Sequence, residues 1–298
     1  MSKDLLITIE KNMLTYSKGQ KKIAKYILEQ FDKAAFMTAS KLGNTVGISE
    51  STVVRFAMKL GYIGYPELQD ALQSLIRNRL TSVQRIEVTT NRLGNSDVLS
   101  SVLISDIEKI RITLDNIDRI EFEAIINSII NAKKIYILGV RSSSALASFL
   151  GFYFNLLFDN VRLIHTTSVS EIFEQILRVN EDDVVIGISF PRYSKRTITA
   201  LQYAKKSKST VIAITDSISA PVAQYATHIL TAKSDMISFV DSLVAPLSVI
   251  NALIVALALR KKEDVANTFS KLESIWDEYN VYEKIDIDNS NEQNSTKK

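Results

Sequence analysis

The chain has 298 residues, 46% of them hydrophobic and 23% charged, with only 9 Gly and 4 Pro, a composition that predicts a folded, helix-rich protein with room for two cores. It has no cysteine, and its two histidines, His165 and His228, lie far apart, which excludes disulfides, thiol nucleophiles and thiolate metal sites and predicts neither a metal nor a cofactor. The lack of cysteine fits a reducing cytoplasm, and charge interrupts the apolar run of MSKDLLITIEKN, which therefore does not read as a signal peptide. The formal charge of +3 is unevenly spread: residues 1–80 hold 12 Lys+Arg against 7 Asp+Glu, and the remainder 24 against 26. A basic excess confined to one end is the electrostatic footprint of a nucleic-acid-binding module.

Residues 1–80 read as helices throughout. After Leu5 to Met13, Ser17 caps a long helix with Ile23, Ile27 and Phe31 inward. Thr38 to Leu60 spells two short amphipathic helices pivoting on glycine: the small residue Gly43, the turn at Gly47, apolar Ile48 and then Val53 have helix-turn-helix spacing. Ser49 is a good N-cap, Glu50 suits the positive end of the helix dipole, and Val53, Phe56, Ala57 and Leu60 form an inward stripe. The opposite face carries Ser51, Thr52, Arg55 and Lys59, hydroxyls and cations that suit base edges and phosphates. The competing reading is an ordinary amphipathic helix with a solvated polar face. A further helix starts at Pro66, with Leu68, Leu72, Leu75 and Ile76 inward.

Residues 81–97 lack sustained periodicity and contain several turn formers, so they read as an interdomain linker. Two more helices follow. From Lys133 the pattern changes to short apolar runs, KKIYIL, VRLI, VVIGI, TVIAIT and HILT, alternating with helical segments. That is the signature of a five-stranded parallel sheet with crossover helices. Residues 98–285 therefore form the second domain, and the polar, unpatterned stretch 286–298 is expected to be disordered.

Two uncharged runs, Ser142 to Phe158 and Ser242 to Leu259, approach the length of a membrane span, about 17 to 20 residues. Serines open the first, which also holds Asn155, and the second contains Pro246, Ser248 and Asn251, so both are expected as helices buried in a homodimer, or a dimer of dimers, with no membrane.

In a doubly wound sheet, ligands sit at the carboxyl ends of the strands. The first strand runs into GVRSSSALA, which places Ser142, Ser143 and Ser144 at a helix N-terminus that attracts an anion. The second ends at His165. The third runs into SFPRYSKRT, with the hydroxyls of Ser189, Ser194 and Thr197 among Arg192, Lys195 and Arg196. Taken singly, the serines could be N-caps, His165 a partly buried switch-point residue and the basic cluster a solvated face. Two hydroxyl-rich loops on one sheet jointly imply a phosphorylated small polar ligand.

The chain resembles the RpiR family of bacterial transcription regulators, which join an N-terminal helix-turn-helix domain to a C-terminal SIS (sugar isomerase) domain that binds phosphosugars. SESTVVRFAMKLGYIGYPEL is similar to the family's recognition helix and following turn. SIS domains show G-x-G-x-S-x-x-x-A after the first strand, where this chain has Gly139, Arg141, Ser143 and Ala147; they show S-x-S-G-x-T after a later one, where it has Ser189, Pro191, Arg192 and Ser194. Arg141 and Arg192 thus stand where the family has glycine, which predicts reshaped loops and arginines that face either an anionic ligand or acidic groups across a dimer.

The resemblance implies a cytoplasmic regulator, not an enzyme, that binds a double-stranded operator through Ser49, Ser51, Thr52, Arg55 and Lys59. It implies a phosphosugar effector held by Arg141, Ser142, Ser143, His165, Ser189, Arg192, Ser194 and Thr197. The alternative is a SIS-type sugar-phosphate isomerase with an accessory DNA-binding domain. Its acid and base candidates would be Asp235, Asp241, Glu171, Glu174 and His165.

Overall fold

A computed structural model describes residues 2–79, 81–93, 97–166, 168–235 and 240–282; the stretch 286–298 lies outside them. Helix α1 (Ser2–Lys11) is followed by α2 (Lys18–Glu29), which Ser17 caps as expected: its hydroxyl accepts from the Gln20 N–H, and the Gln20 side chain accepts from the Ser17 N–H. The chain breaks at Gln30, so Phe31 packs from a separate short helix, α3 (Phe31–Ala34). Helices α4 (Ala39–Val46), α5 (Glu50–Lys59) and α6 (Tyr65–Arg79) complete a core centred on Ile9, Ile27, Leu42, Phe56 and Leu72, all fully buried.

The segment expected to be an irregular linker contains a helix, α7 (Ser82–Leu93). One fully buried cation, Arg85, anchors it to the second domain through Asp241. Tertiary contact supplies the order that apolar periodicity does not predict.

Helices α8 (Val98–Asn116) and α9 (Arg119–Ile130) are each opened by an aspartate cap, Asp97 and Asp118. Five parallel strands follow: β1 (Lys134–Gly139), β2 (Val161–Ile164), β3 (Asp183–Ile188), β4 (Thr210–Thr215) and β5 (His228–Thr231), in the order β2-β1-β3-β4-β5. Between them run α10 (Ser143–Leu157), α11 (Val169–Ile176) and α12 (Lys195–Lys206); α13 (Val244–Arg260) and α14 (Lys262–Glu278) close the chain. Alternate strand residues serve opposite faces: Ile135, Ile137, Val184 and Ile186 pack with α9, α10 and α13, whereas Tyr136, Leu138 and Val185 pack with α11 and α12. Successive strands go first to one side of β1 and then to the other, so β1 and β3 flank the switch point, with Gly139 in register with Ile188.

The two apolar helices bury most of their hydrophobic surface within the protomer, through Leu146, Leu150 and Phe154 on α10 and Ile250, Leu253 and Leu257 on α13. One side of each is thus covered by the sheet and the other helix, which the expectation of a subunit interface did not foresee, while Phe152, Val255 and Leu259 on the same helices stay exposed. The most extended exposed apolar row is instead on α8, where Leu99, Leu103, Ile107 and Leu114 are 54–69% exposed. No single helix among the described residues is long and apolar enough to cross a membrane, and α13 meets α14 at 97°.

Candidate functional site

Two sites emerge, one on each domain. On the first, Gly47 ends α4 in the left-handed conformation (φ 69°), which allows the Ile48 N–H to return to the Gly43 carbonyl at 2.9 Å. A Cβ at Gly43 would lie 2.8 Å from the Ile48 carbonyl oxygen, so the turn closes only because that residue has none. Val53, Phe56 and Ala57 are fully buried, and the N-terminal half of the opposite face stays at the surface. Ser49 occupies the N-cap position, but its hydroxyl bonds Ser51 and Thr52 (both 3.0 Å) instead of the helix backbone, and Arg55 donates to Thr52 at 3.4 Å. Four of the five expected DNA-facing residues therefore form one polar cluster.

Lys59 stands apart. It donates to the Thr15 carbonyl at 2.6 Å and lies over the Tyr16 ring, 5.2 Å from its centroid, which ties the end of α5 to the residues before α2. Sequence reading missed the lysines of α2. Lys18, Lys21, Lys22 and Lys25 are exposed on that helix, and its Gly19 packs against Thr52 and Ile48 at the head of α5. The signal was present as the basic excess of this domain, but only packing sets α2 beside α5.

On the second domain, the loops after β1 and β3 open into a cavity of about 390 Å³. It is lined by Arg141, Ser142 and Ser143 from the first loop and by Ser189, Arg192 and Ser194 from the second, with Val140, Phe190 and Pro191 between them. Ser143 and Ser189 are buried, and α10 and α12 both start at the rim. Two helix N-termini and two sets of hydroxyls thus face one space, a geometry that favours an anion. Ser194 also caps α12, accepting from the Arg196 N–H, so its N-cap reading holds while it lines the cavity; the Ser142 hydroxyl makes no cap bond.

Gly139 brings the first loop close. A Cβ there would come within 2.3 Å of the Ser143 carbonyl oxygen, so strand and helix meet only around glycine.

Two expected residues fall outside the cavity lining. His165 is exposed at the end of β2, the edge strand, on the side of β1 away from β3. Thr197 is fully buried in the first turn of α12, and its hydroxyl has no hydrogen-bond partner among the described residues. A third segment, read from sequence only as the source of an isomerase acid, also lines the cavity: Val240, Asp241 and Leu243, ahead of α13. Asp241 is the one carboxylate among the described lining residues, and it accepts from Arg85 Nη1 at 2.8 Å.

Comparison with known sequences matches both domains. Residues 3–79 match the helix-turn-helix domain of the rpiR family, and residues 128–256 match the SIS domain. The chain belongs to the RpiR family. The HTH-type transcriptional regulator HexR of Escherichia coli is 26% identical over 87% of this chain and 89% of its own length. The sugar isomerase domain of an RpiR transcription factor from Sphaerobacter thermophilus is 27% identical, covers 59% of this chain and 98% of that one, and superposes with a TM-score of 0.57. The Vibrio vulnificus NanR protein, solved in complex with ManNAc-6P, shares the fold with a TM-score of 0.58 at 22% identity, over 92% of this chain and 98% of that one.

Within the RpiR pattern, the two arginines correct one expectation. Loss of glycine does not reshape the loops, because Arg141 and Arg192 themselves adopt positive φ, 60° and 66°. Holding an L-residue there costs roughly 1 to 2 kcal/mol. The surrounding loop, including the Ser144 hydroxyl bonded back to the Arg141 carbonyl, keeps the glycine-like backbone and adds a guanidinium at the cavity.

Proposed function

We propose that this RpiR-family chain is a cytoplasmic, DNA-binding transcriptional regulator whose operator affinity is controlled by a phosphorylated sugar or sugar derivative, and that it is not an enzyme. The observation that carries the reading is the cavity at the β1/β3 switch point, where two hydroxyl loops, two helix N-termini and two arginines converge in a chain that also bears a helix-turn-helix. Ser143, Ser189 and Ser194 hold the phosphate, and Arg141 and Arg192 add charge-assisted bonds. Ser49, Ser51, Thr52 and Arg55 face the major groove, and the α2 lysines face phosphates.

The binding reading is favoured over isomerisation by the state of the acid and base candidates. Asp241 is engaged by Arg85, Glu171 accepts from Thr166, and His165 lies outside the cavity lining. A homodimer, formed through the exposed α8 row and the residual apolar faces of α10 and α13, presents two recognition helices to half-sites about one turn apart.

The test is calorimetry with a panel of phosphosugars that includes ManNAc-6P, followed by operator titration at fixed salt. One member should bind and change operator affinity. Ser143→Ala should weaken it less than Arg192→Ala, whose lost charge-assisted bond is expected to cost about 1.5 to 3 kcal/mol. Wild-type affinity in Arg192→Ala would show that the arginine faces something other than ligand. Turnover of a panel member at micromolar protein would favour the isomerase.

A further inference from the structure

The described residues of the loop between β5 and α13 touch the cavity and three helices that precede the sheet, α6, α7 and α8. Its residues Val240, Asp241 and Leu243 line the cavity. From the same loop, Asp241 Oδ1 accepts from Arg85 of α7 at 2.8 Å, and Lys233 Nζ lies 3.8 Å from Asp70 of α6. Ser242 donates to Asp106 of α8 at 2.6 Å, and the Lys233 N–H donates to Thr113 of the same helix at 2.9 Å. The two arms are tied together, because the Ser242 N–H donates to the Asp235 carbonyl and the Ser234 hydroxyl to the Ser242 carbonyl.

We propose that this loop is the coupling element of the protein, with Asp241 and Arg85 as its central joint: occupancy of the cavity is passed through Asp241 to α7 and α6, and so to the helix-turn-helix. The inference rests on the effector reading given above. Arg85 is fully buried and Asp241 partly buried, with 17% of its side chain exposed. A buried guanidinium follows its carboxylate, because separating the charges in a low-dielectric interior is costly. A phosphosugar in the cavity acts on that carboxylate in two ways: its hydroxyls donate to Asp241 and draw it from Arg85, and its negative charge repels Asp241 toward Arg85. Both interactions differ between states in which Asp241 is turned to Arg85 and turned to ligand, as any shift of equilibrium by a ligand requires. Lys233 and Asp70 give the same loop a second, solvent-side hold on the DNA-binding domain.

The experiment measures the ratio of operator dissociation constants with and without saturating ligand, in the full chain. The operator is selected from a random DNA pool by the wild-type protein, and the probes are ManNAc-6P, glucose 6-phosphate and fructose 6-phosphate. The wild type should show a ratio of about five or more with at least one probe. The double variant Arg85→Met/Asp241→Leu removes both charges and leaves neither buried alone; because Asp241 lines the cavity, its ratio is read at the probe concentration that calorimetry shows to saturate the variant, and should fall below about two. Asp70→Asn, altered at a side chain that is 61% exposed, tests the second hold without disturbing a core and should lower the ratio at least about twofold. A wild-type ratio in the folded double variant overturns the joint, and wild-type ratios in both overturn the loop as coupling element while leaving the effector reading intact. A wild-type operator affinity unmoved by every probe overturns the effector reading and this inference with it.

Discussion

Arg141 and Arg192 hold the same uncommon backbone conformation, φ 60° and 66°, on two separate loops that line one cavity. Each stands at a glycine position of the SIS-domain pattern that the chain resembles, and each keeps a left-handed backbone while placing a guanidinium at the cavity. A strained conformation retained twice around one space points to ligand contact as the compensating gain.

That pairing predicts a trade between stability and binding. Arg141→Gly relieves roughly 1 to 2 kcal/mol of left-handed strain and loses about 0.5 to 1 kcal/mol to the greater freedom of unfolded glycine. The expected outcome is unchanged or slightly raised stability with weaker effector binding. Arg141→Val, β-branched at positive φ, should be clearly destabilised. Urea melts of both variants beside calorimetry check the pair; a marked loss of stability in Arg141→Gly would show that the side chain, not its backbone, holds the loop.

Arg55 is the exposed cation of the polar cluster on α5. Arg55→Ala should weaken operator binding by about 1 to 3 kcal/mol if it reads a base, with the fold intact. Lys22→Ala should weaken all DNA sequences alike and reduce the salt slope by about one. Titrations of operator and random DNA at several salt concentrations distinguish the two, and unchanged operator affinity in Arg55→Ala would remove α5 from the base-reading role.

The exposed row on α8 predicts the oligomeric state. Wild-type protein should sediment as a dimer or larger at micromolar concentration, and Ile107→Glu, placing a charge where the side chain is now 66% exposed, should shift it toward monomer without unfolding it. A folded wild-type monomer would contradict the assignment.

Tyr65 predicts an alkaline weakness. Burial pushes its phenol up to about 12, and its hydroxyl donates to the Met37 carbonyl at 2.8 Å. Below pH 10 the phenol is protonated in both folded and unfolded chains. Between about 10 and 12 only the unfolded chain loses the proton, so stability falls across that window and levels off above it. Tyr65→Phe should be less stable at pH 8 by about 1 kcal/mol, from the lost hydrogen bond. By pH 11.5 the gap to wild type should shrink or reverse, as denaturant melts followed by circular dichroism would read; a constant gap would exclude Tyr65 as the source.

Much of this architecture was legible in local pattern. The spacing of Gly43, Gly47, Val53 and Phe56 contains the helix-turn-helix, because a close helix crossing demands small residues at the contact and an apolar stripe behind it. Alternating apolar runs after Lys133 predict all five strands, and the hydroxyls after β1 and β3 mark the loops that form the cavity.

Partnership was not legible. Apolar faces on α10 and α13 announce that something covers them, and only the tertiary structure shows that the sheet does so within one protomer, leaving α8 exposed. The cation Lys59 reads as a DNA contact until packing places Thr15 and Tyr16 beside it. Glycine-to-arginine changes read as altered loops, because sequence reports a preference for φ and not the contacts that override it. Arg85 and Asp241 lie 156 residues apart, in segments that read as linker and as isomerase acid. Helices, strands and turns follow from interactions within a few residues, so the sequence by itself determined them; which charge meets which across that distance was decided by the fold that brings them together.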